Sequence, residues 1–307
     1  IPKNIQWIKC GNGLIPHRKA NFLRRIKQIY KLRKVLLNYG VTELITFHHG
    51  LYPRSFLATL FLDIKNIVSE RNSLSNYKYI KLKKFNAGFL SLFLADIITV
   101  QIKSYINDYP KLLRRKIKVV PNLLYTNSNY QEPLLDKKIV TMMGRLCPQK
   151  NFTPLLNQYL ARPDIYGAFK IRIAGEGHLR NFIETKYKKL IDCGSLEILG
   201  NINNTQEFLK NSSIFCFPSL WEGYPNSLVE ALSNGLPVVL SFRLKNLVDF
   251  VEHDSNGKIV KDSNYLDTIL EMIENIDRLK SMSKNSFEKY KKLRENSSIT
   301  NWIDLIN

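Results

Sequence analysis

No stretch of this chain is long and apolar enough to cross a membrane as a helix. The apolar runs are short, such as residues 89–94, and Asp96 soon interrupts that one, whereas a span needs about 20 such residues. Cysteine is scarce: Cys10, Cys147, Cys193 and Cys216 form no CxxC pair and have no histidine at ligand spacing. That pattern excludes a zinc ribbon and a disulfide framework, and reads as reduced thiols. The chain has no GxxxxGK[ST] and so no P-loop, and no HExxH or GxSxG, which sets aside P-loop, zincin and serine-hydrolase chemistry. The one dinucleotide-like run, Gly175-Glu176-Gly177-His178-Leu179-Arg180, has Arg180 where the third glycine belongs, so NAD binding is not expected. The opening, IPKNIQWIKCGNG, has neither the basic n-region nor the apolar h-region of a signal peptide. It begins with Ile rather than Met, and the natural N-terminus is expected to lie upstream.

Acidic residues are also in deficit, with 26 Asp and Glu against 46 Lys and Arg, a net charge of +20. Such an excess favours polyanions: nucleic acid, an anionic membrane surface or phosphorylated ligands. The alternative is compositional background, since Lys, Asn and Ile are abundant throughout. No helix-turn-helix, RNP or zinc motif accompanies the charge, and a nucleic-acid partner is not expected.

What is present suits a folded globular protein. The chain has 307 residues, 44% hydrophobic, enough for two domains and a sizeable core. In the second half, strand-like runs at 138–143, 169–174, 196–199, 214–218, 237–241 and 258–260 alternate with helical periodicity from 151, over 178–193, over 205–211 and over 227–234, the last closed by Gly235. The first half repeats the theme with strands at 44–47, 64–68, 97–100 and 117–120. Alternation at this spacing predicts an α/β fold with parallel sheets, whose ligands bind at the carboxyl edge of the strands. Residues 123–137 are polar and aperiodic, and read as a linker. The predicted division is 1–122, a linker at 123–137, a second domain at 138–293, and a terminal segment at 294–307.

Two loops carry chemistry. Gly144-Arg145-Leu146-Cys147-Pro148-Gln149-Lys150-Asn151 follows a strand and opens a helix. Glycine allows close backbone approach, and Arg145 and Lys150 place two cations where a helix start already favours an anion. A solvated basic loop is the other reading. The second loop is FPSLWEGYPNSLVEALSNGLPVV at 217–239, with Glu222 and Glu230 eight positions apart. Asn226 or Ser227 is the expected N-cap, and Ser227-x-x-Glu230 fits a capping box. Capping does not account for Glu222-Gly223-Tyr224-Pro225-Asn226 in front of the helix. A polyhydroxylated ligand under that turn would use both carboxylates as hydrogen-bond acceptors.

Glu222-x7-Glu230 in this setting closely resembles the EX7E signature of family 4 retaining glycosyltransferases. GRLCPQKN, RIAGEGHLR and VVPN (119–122) resemble other elements of that family, in the right order. The resemblance covers about 42–306 and implies the GT-B architecture: two doubly wound Rossmann-like domains facing across a cleft. It implies that Arg145 and Lys150 hold the diphosphate of a UDP- or GDP-sugar and stabilise its departure. Glu230 would accept the ribose hydroxyls, and Glu222 would face the donor sugar. Gly144 and the Gly223, Tyr224, Pro225 and Asn226 backbone would line the donor, and the Ser227 and Leu228 amides would meet the distal phosphate. The family's glycosyl transfer is thought to proceed with retention. Fixed cations and a helix dipole can replace a metal ion in it, so no metal and no cofactor is expected. The acceptor would be a glycan or lipid-linked glycan, handled in the cytoplasm at the inner face of the membrane.

The N-terminal half departs from that pattern. The family's first strand and glycine-rich loop are not found, so this domain is expected to lack at least one βα unit. His48 and Arg71 stand at strand ends, as acceptor-side candidates or as solvated or structural residues. Residues 17–37 (HRKANFLRRIKQIYKLRKVLL) set Phe22, Leu23, Ile26, Ile29, Tyr30 and Leu37 against many basic residues. This is either a domain helix with a solvated basic face or a dock for an anionic membrane. Two other functions fit parts of the sequence: a GT-B-fold nucleotide-sugar epimerase, which would lack the EX7E turn, and a basic nucleic-acid-binding protein.

Overall fold

The computed structural model describes residue 8 and residues 22–77, 86–124 and 130–306. Cys10, residues 17–21 of the basic amphipathic segment and residues 125–129 of the expected linker lie outside them. The chain forms two compact units, Ile1–Val120 with Trp302–Asn307, and Pro121–Asn301.

The first unit holds a parallel sheet in the order β1 (Glu43–Phe47), β2 (Lys65–Ser69), β3 (Ile97–Val100), β4 (Ile117–Val119). Each strand is a short β-branched run and each crossover is helical, so the order follows the sequence without reversal. Helix Phe22–Asn38 packs Ile29, Leu32 and Leu36 against Ala58, Ile64 and Leu44. The terminal helix Thr300–Ile306 belongs to this unit: Leu305 joins Ile67 and Val120 in one cluster, and the Trp302 ring lies 6.5 Å from that of Phe47.

The second unit is built on six parallel strands in the order β10-β9-β8-β5-β6-β7. They are β5 (Ile139–Met143), β6 (Lys170–Ala174), β7 (Leu196–Gly200), β8 (Ile214–Phe217), β9 (Val238–Ser241) and β10 (Gly257–Val260). The core runs along the sheet through Val140, Met142, Ile171, Ile173, Ile214 and Val239, all without exposed area. From β5 the chain steps outward through β6 and β7, then returns to β5's other side with β8 and continues to β10. The winding therefore reverses between β5 and β8, and the loops leaving their carboxyl ends diverge to open a crevice there.

Two expectations about helices are corrected. The helix foreseen over 178–193 is two, Arg180–Lys186 and Lys188–Asp192, interrupted at the fully buried Tyr187, whose hydroxyl donates to Asn157 Oδ1 at 2.8 Å. The capping box is not formed. Helix Asn226–Ser233 has Pro225 at its cap with no side-chain cap bond, and Val229 N already donates to Pro225 O at 3.0 Å. With its fixed φ, Pro225 places the cap two residues ahead of Ser227, and this frees the Glu230 carboxylate from any capping task.

Candidate active site

The site lies at the β5/β8 reversal. After β5 the chain turns at Gly144, with φ +146°, where an added Cβ would stand 2.8 Å from Lys150 Cε. Glycine at 144 is thus what allows the Lys150 side chain to fold back over its own loop. The Gly175-x-Gly177 pair after β6 braces this loop. A Cβ at Gly175 would lie 2.0 Å from Gly144 O, and one at Gly177 2.3 Å from Leu146 O. Leu146 N also donates to Glu176 O at 2.9 Å.

The 3₁₀ turn Pro148–Lys150 and the left-handed Asn151 then clip the loop to the one leaving β8. Leu220 N donates to Gln149 O at 2.8 Å, Gln149 Nε2 to Trp221 O at 2.8 Å, and Asn151 Nδ2 to Pro218 O at 3.3 Å. These bonds bring Lys150 Nζ to 2.7 Å from Glu222 Oε1, with side chains only 15% and 8% exposed. The ammonium also stands 5.3 Å from the centroid of the Phe217 ring, within cation–π range.

The pair lines a cavity of about 380 Å³ that also takes in Gly144, Arg145, Tyr224, Asn226, Ser227 and Glu230. Eight of the residues singled out from sequence therefore meet in one space. Gly223, half-buried, forms the turn between Glu222 and Tyr224, whereas Pro225 and Leu228 are buried and can reach a ligand only through the main chain. A second hollow of about 430 Å³ shares Met143, Gly144, Arg145 and Thr205 and extends past Gly175 to Asn201 and Ile202.

The charges in the cavity are unequal. Glu222 offsets Lys150, but exposed Arg145 has no ion pair among the described residues, which leaves a guanidinium for an anion. Burial holds the Glu230 carboxyl above the usual carboxylate range, and no described residue pairs with it. Buried Tyr224 packs edge-on to Phe250, at 5.6 Å, and its hydroxyl has no partner among the described residues. Asn226 is held at the helix start by Asn122 Nδ2, 2.9 Å from its Oδ1. Among the described residues no group of three or more His, Cys, Asp and Glu side chains is placed to hold a metal ion.

His48 and Arg71 lie in the other unit, just beyond β1 and β2. His48 has φ +81° and accepts from Gly50 N at its Nδ1, at 2.9 Å, so a neutral imidazole there carries its proton on Nε2. Burial first, then the neighbouring His49, lowers its pKa against an opposing pull from Glu70. The Arg71 guanidinium lies 5.7 Å from the Phe47 ring centre. Sequence reasoning missed the pair beneath them, in which buried His49 places Nδ1 2.7 Å from buried Glu70 Oε1. The His49 amide donates to the same oxygen. Glu70 directly follows β2 and His49 stands two residues past the end of the neighbouring β1, and that common position was the available signal.

The profile of the family "Glycosyl transferases group 1" matches residues 127–297, more than half of the chain. The chain belongs to that family. It is 32% identical over 239 residues to an uncharacterized glycosyltransferase of Methanocaldococcus jannaschii, covering 70% of this chain and 59% of that one. It is 30% identical over 188 residues to the Escherichia coli UDP-Gal:alpha-D-GlcNAc-diphosphoundecaprenol alpha-1,3-galactosyltransferase, covering 55% and 48%. The chain thus spans about half the length of these relatives. The structure superposes on that of Anabaena HepE in complex with UDP with a TM-score of 0.75 and 14% identity, over 92% of this chain and 83% of that one. The fold of this group 1 chain is that of the GT-B glycosyltransferases.

Proposed function

We propose that this group 1 chain transfers a sugar from a nucleoside diphosphate, UDP or GDP, to a glycan or lipid-linked glycan acceptor. The observation that carries the reading is the Lys150–Glu222 pair facing, in one cavity, Arg145 and Glu230, neither of which has an ion-pair partner among the described residues. Arg145, Lys150 and the uncapped start of helix Asn226–Ser233 would take the diphosphate, because together they offer fixed positive potential. Glu230 would accept the ribose hydroxyls and Glu222 those of the donor sugar.

In the proposed reaction the bond from sugar C1 to the diphosphate oxygen breaks, and its electron pair leaves with the phosphate. The acceptor hydroxyl oxygen bonds to C1 on the same face, so configuration is retained, and its proton passes to the departing phosphate. Arg145 and Lys150 would stabilise the charge that develops on the leaving group, so the reaction would run without a metal ion. The E. coli relative is named for a diphosphoundecaprenol-linked acceptor, and an acceptor of that kind would hold the enzyme at the cytoplasmic face of a membrane, in peripheral contact with it.

A calorimetric panel of UDP- and GDP-sugars tests the donor half, and anomeric NMR of the product in the presence of EDTA tests the rest. Binding of one donor, weakened by Glu222→Ala and by Lys150→Ala, is expected. No donor bound, or binding indifferent to both substitutions, would sink the proposal. Donor turnover without any acceptor would mark an epimerase instead.

A further inference from the structure

The second unit begins at Pro121, and its next residue is tied down at once. Asn122 O accepts from the Ser297 hydroxyl at 2.6 Å, and that hydroxyl oxygen accepts from Leu124 N at 3.1 Å. Ser297 is itself fixed in the turn after helix Ile276–Glu295, where its amide donates to Arg294 O at 3.0 Å. The Asn122 main chain is therefore a post held from two directions. Its side chain reaches from that post to the donor cavity: Nδ2 lies 2.9 Å from Asn226 Oδ1, a residue 104 positions further along the chain.

That bond caps no helix. Helix Asn226–Ser233 starts at Pro225 without a side-chain cap, and its first turn is already held by Asn226 N to Tyr224 O and Val229 N to Pro225 O, both at 3.0 Å. A single exposed bond between two side chains also contributes little to stability. What it fixes is the polarity of the Asn226 carboxamide. The oxygen and nitrogen ends of asparagine have nearly the same shape, and the partner of one end decides which end remains. With Oδ1 committed to Asn122, the end that remains is Nδ2, whose two N–H donors have no acceptor among the described residues.

Asn226 is exposed and lines the cavity that holds Arg145 and Lys150. Donors there add to the potential of the two cations and of the uncapped helix start. A reversed carboxamide would instead offer a carbonyl oxygen, which repels an anion. We propose that the Asn226 side chain donates to the diphosphate oxygens of the donor, and that Asn122 is a positioning residue that keeps its donor end available. The proposal rests on the nucleotide-donor reading above and adds two side chains to it, one in contact with the ligand and one acting only through the other.

The test is a double-mutant cycle on binding of UDP and of GDP to the whole chain, read by calorimetry. Neither probe carries a sugar, so a loss measured with them lies in the nucleotide part. For whichever nucleotide binds, Asn226→Ala should weaken affinity about tenfold, as loss of a hydrogen bond to a charged group does. Asn122→Ala should weaken it about fivefold in the native chain, because the carboxamide is then free to turn, and by less than about twofold in the Asn226→Ala background. Thermal melts should place all three variants within about 3 °C of the native chain. Equal losses from Asn122→Ala in both backgrounds would show that Asn122 acts by some other route, and would overturn the proposal. No loss from either single substitution would overturn it too, as would losses that follow a lowered melting temperature, since Asn122 would then be a structural tie. A native chain that bound neither nucleotide would sink the donor reading and this inference together, whereas native binding untouched by the substitutions would sink this inference alone.

Discussion

Lys150 Nζ lies 2.7 Å from Glu222 Oε1, and 72 residues of chain separate them. The pair joins the loop after β5 to the loop after β8 at the point where the winding of the sheet reverses. Removing one partner leaves a largely buried charge without its counter-ion. Lys150→Ala and Glu222→Ala should each destabilise the protein by roughly 3 kcal/mol or less, and the double variant should recover part of the loss. Thermal melts of the three variants as a double-mutant cycle measure the coupling; strictly additive losses would show that the contact contributes nothing. If the proposed reaction is right, each single variant should also lower kcat by about 10²-fold or more.

Gly144 and Gly175 should fail in different ways. A Cβ at Gly175 meets a backbone oxygen, Gly144 O, and cannot be accommodated, whereas one at Gly144 meets the movable end of Lys150. Gly175→Ala should therefore cost stability by more than the ~1–3 kcal/mol of backbone strain alone. Gly144→Ala should remain folded with weaker donor binding, because Lys150 is displaced. Equal melting temperatures for the two would contradict this.

Glu230 should trade stability for binding. Burial raises its folded-state pKa above the unfolded value, so its contribution to stability is fully present below the unfolded pKa and is lost as pH rises through the folded pKa. Glu230→Gln is expected to raise the melting temperature at pH 7–8, with the gain fading as pH falls through the carboxylate range. The same change should weaken donor binding about tenfold if the carboxylate holds ribose hydroxyls. A lower melting temperature at pH 8 would refute the assignment of the shift to burial.

His48 is expected to be neutral at pH 7 with its proton on Nε2, because Nδ1 accepts from Gly50 N and burial lowers its pKa. Long-range ¹⁵N NMR of labelled histidine reads both the tautomer and a titration midpoint below 6.5. At φ +81°, His48→Gly should be more stable than His48→Ala by about 1 kcal/mol. An Nδ1–H tautomer, or no difference between the two variants, would contradict the geometry.

Much of the fold was legible because the strands are short apolar runs with helical periodicity between them, a signal that needs no tertiary information. The six strands of the second unit and the four of the first stand within a residue or two of their sequence positions. The broken helix at Tyr187 was not legible, since its cause is the burial of a tyrosine whose hydroxyl reaches Asn157. The capping box misled for a related reason. Ser227-x-x-Glu230 satisfies the local pattern, but Pro225 imposes an earlier start. The His49–Glu70 pair was invisible because neither residue forms a local pattern with the other, 21 positions away.

The sequence by itself determined the alternation of strand and helix, the loops at the carboxyl edge, and the residue types in GRLCPQKN and EGYPNSLVE. Each of these follows from backbone preference or side-chain chemistry over a few neighbouring residues. Only the tertiary structure decided that β8 lies beside β5, and hence that Lys150 meets Glu222, that Arg145 and Glu230 find no ion-pair partner among the described residues, and that Gly175 serves as a brace. It also decided that Phe22, Leu23, Ile26, Tyr30 and Leu37 are exposed. Strand order and exposure depend on contacts between segments far apart in the chain, and no local propensity encodes them.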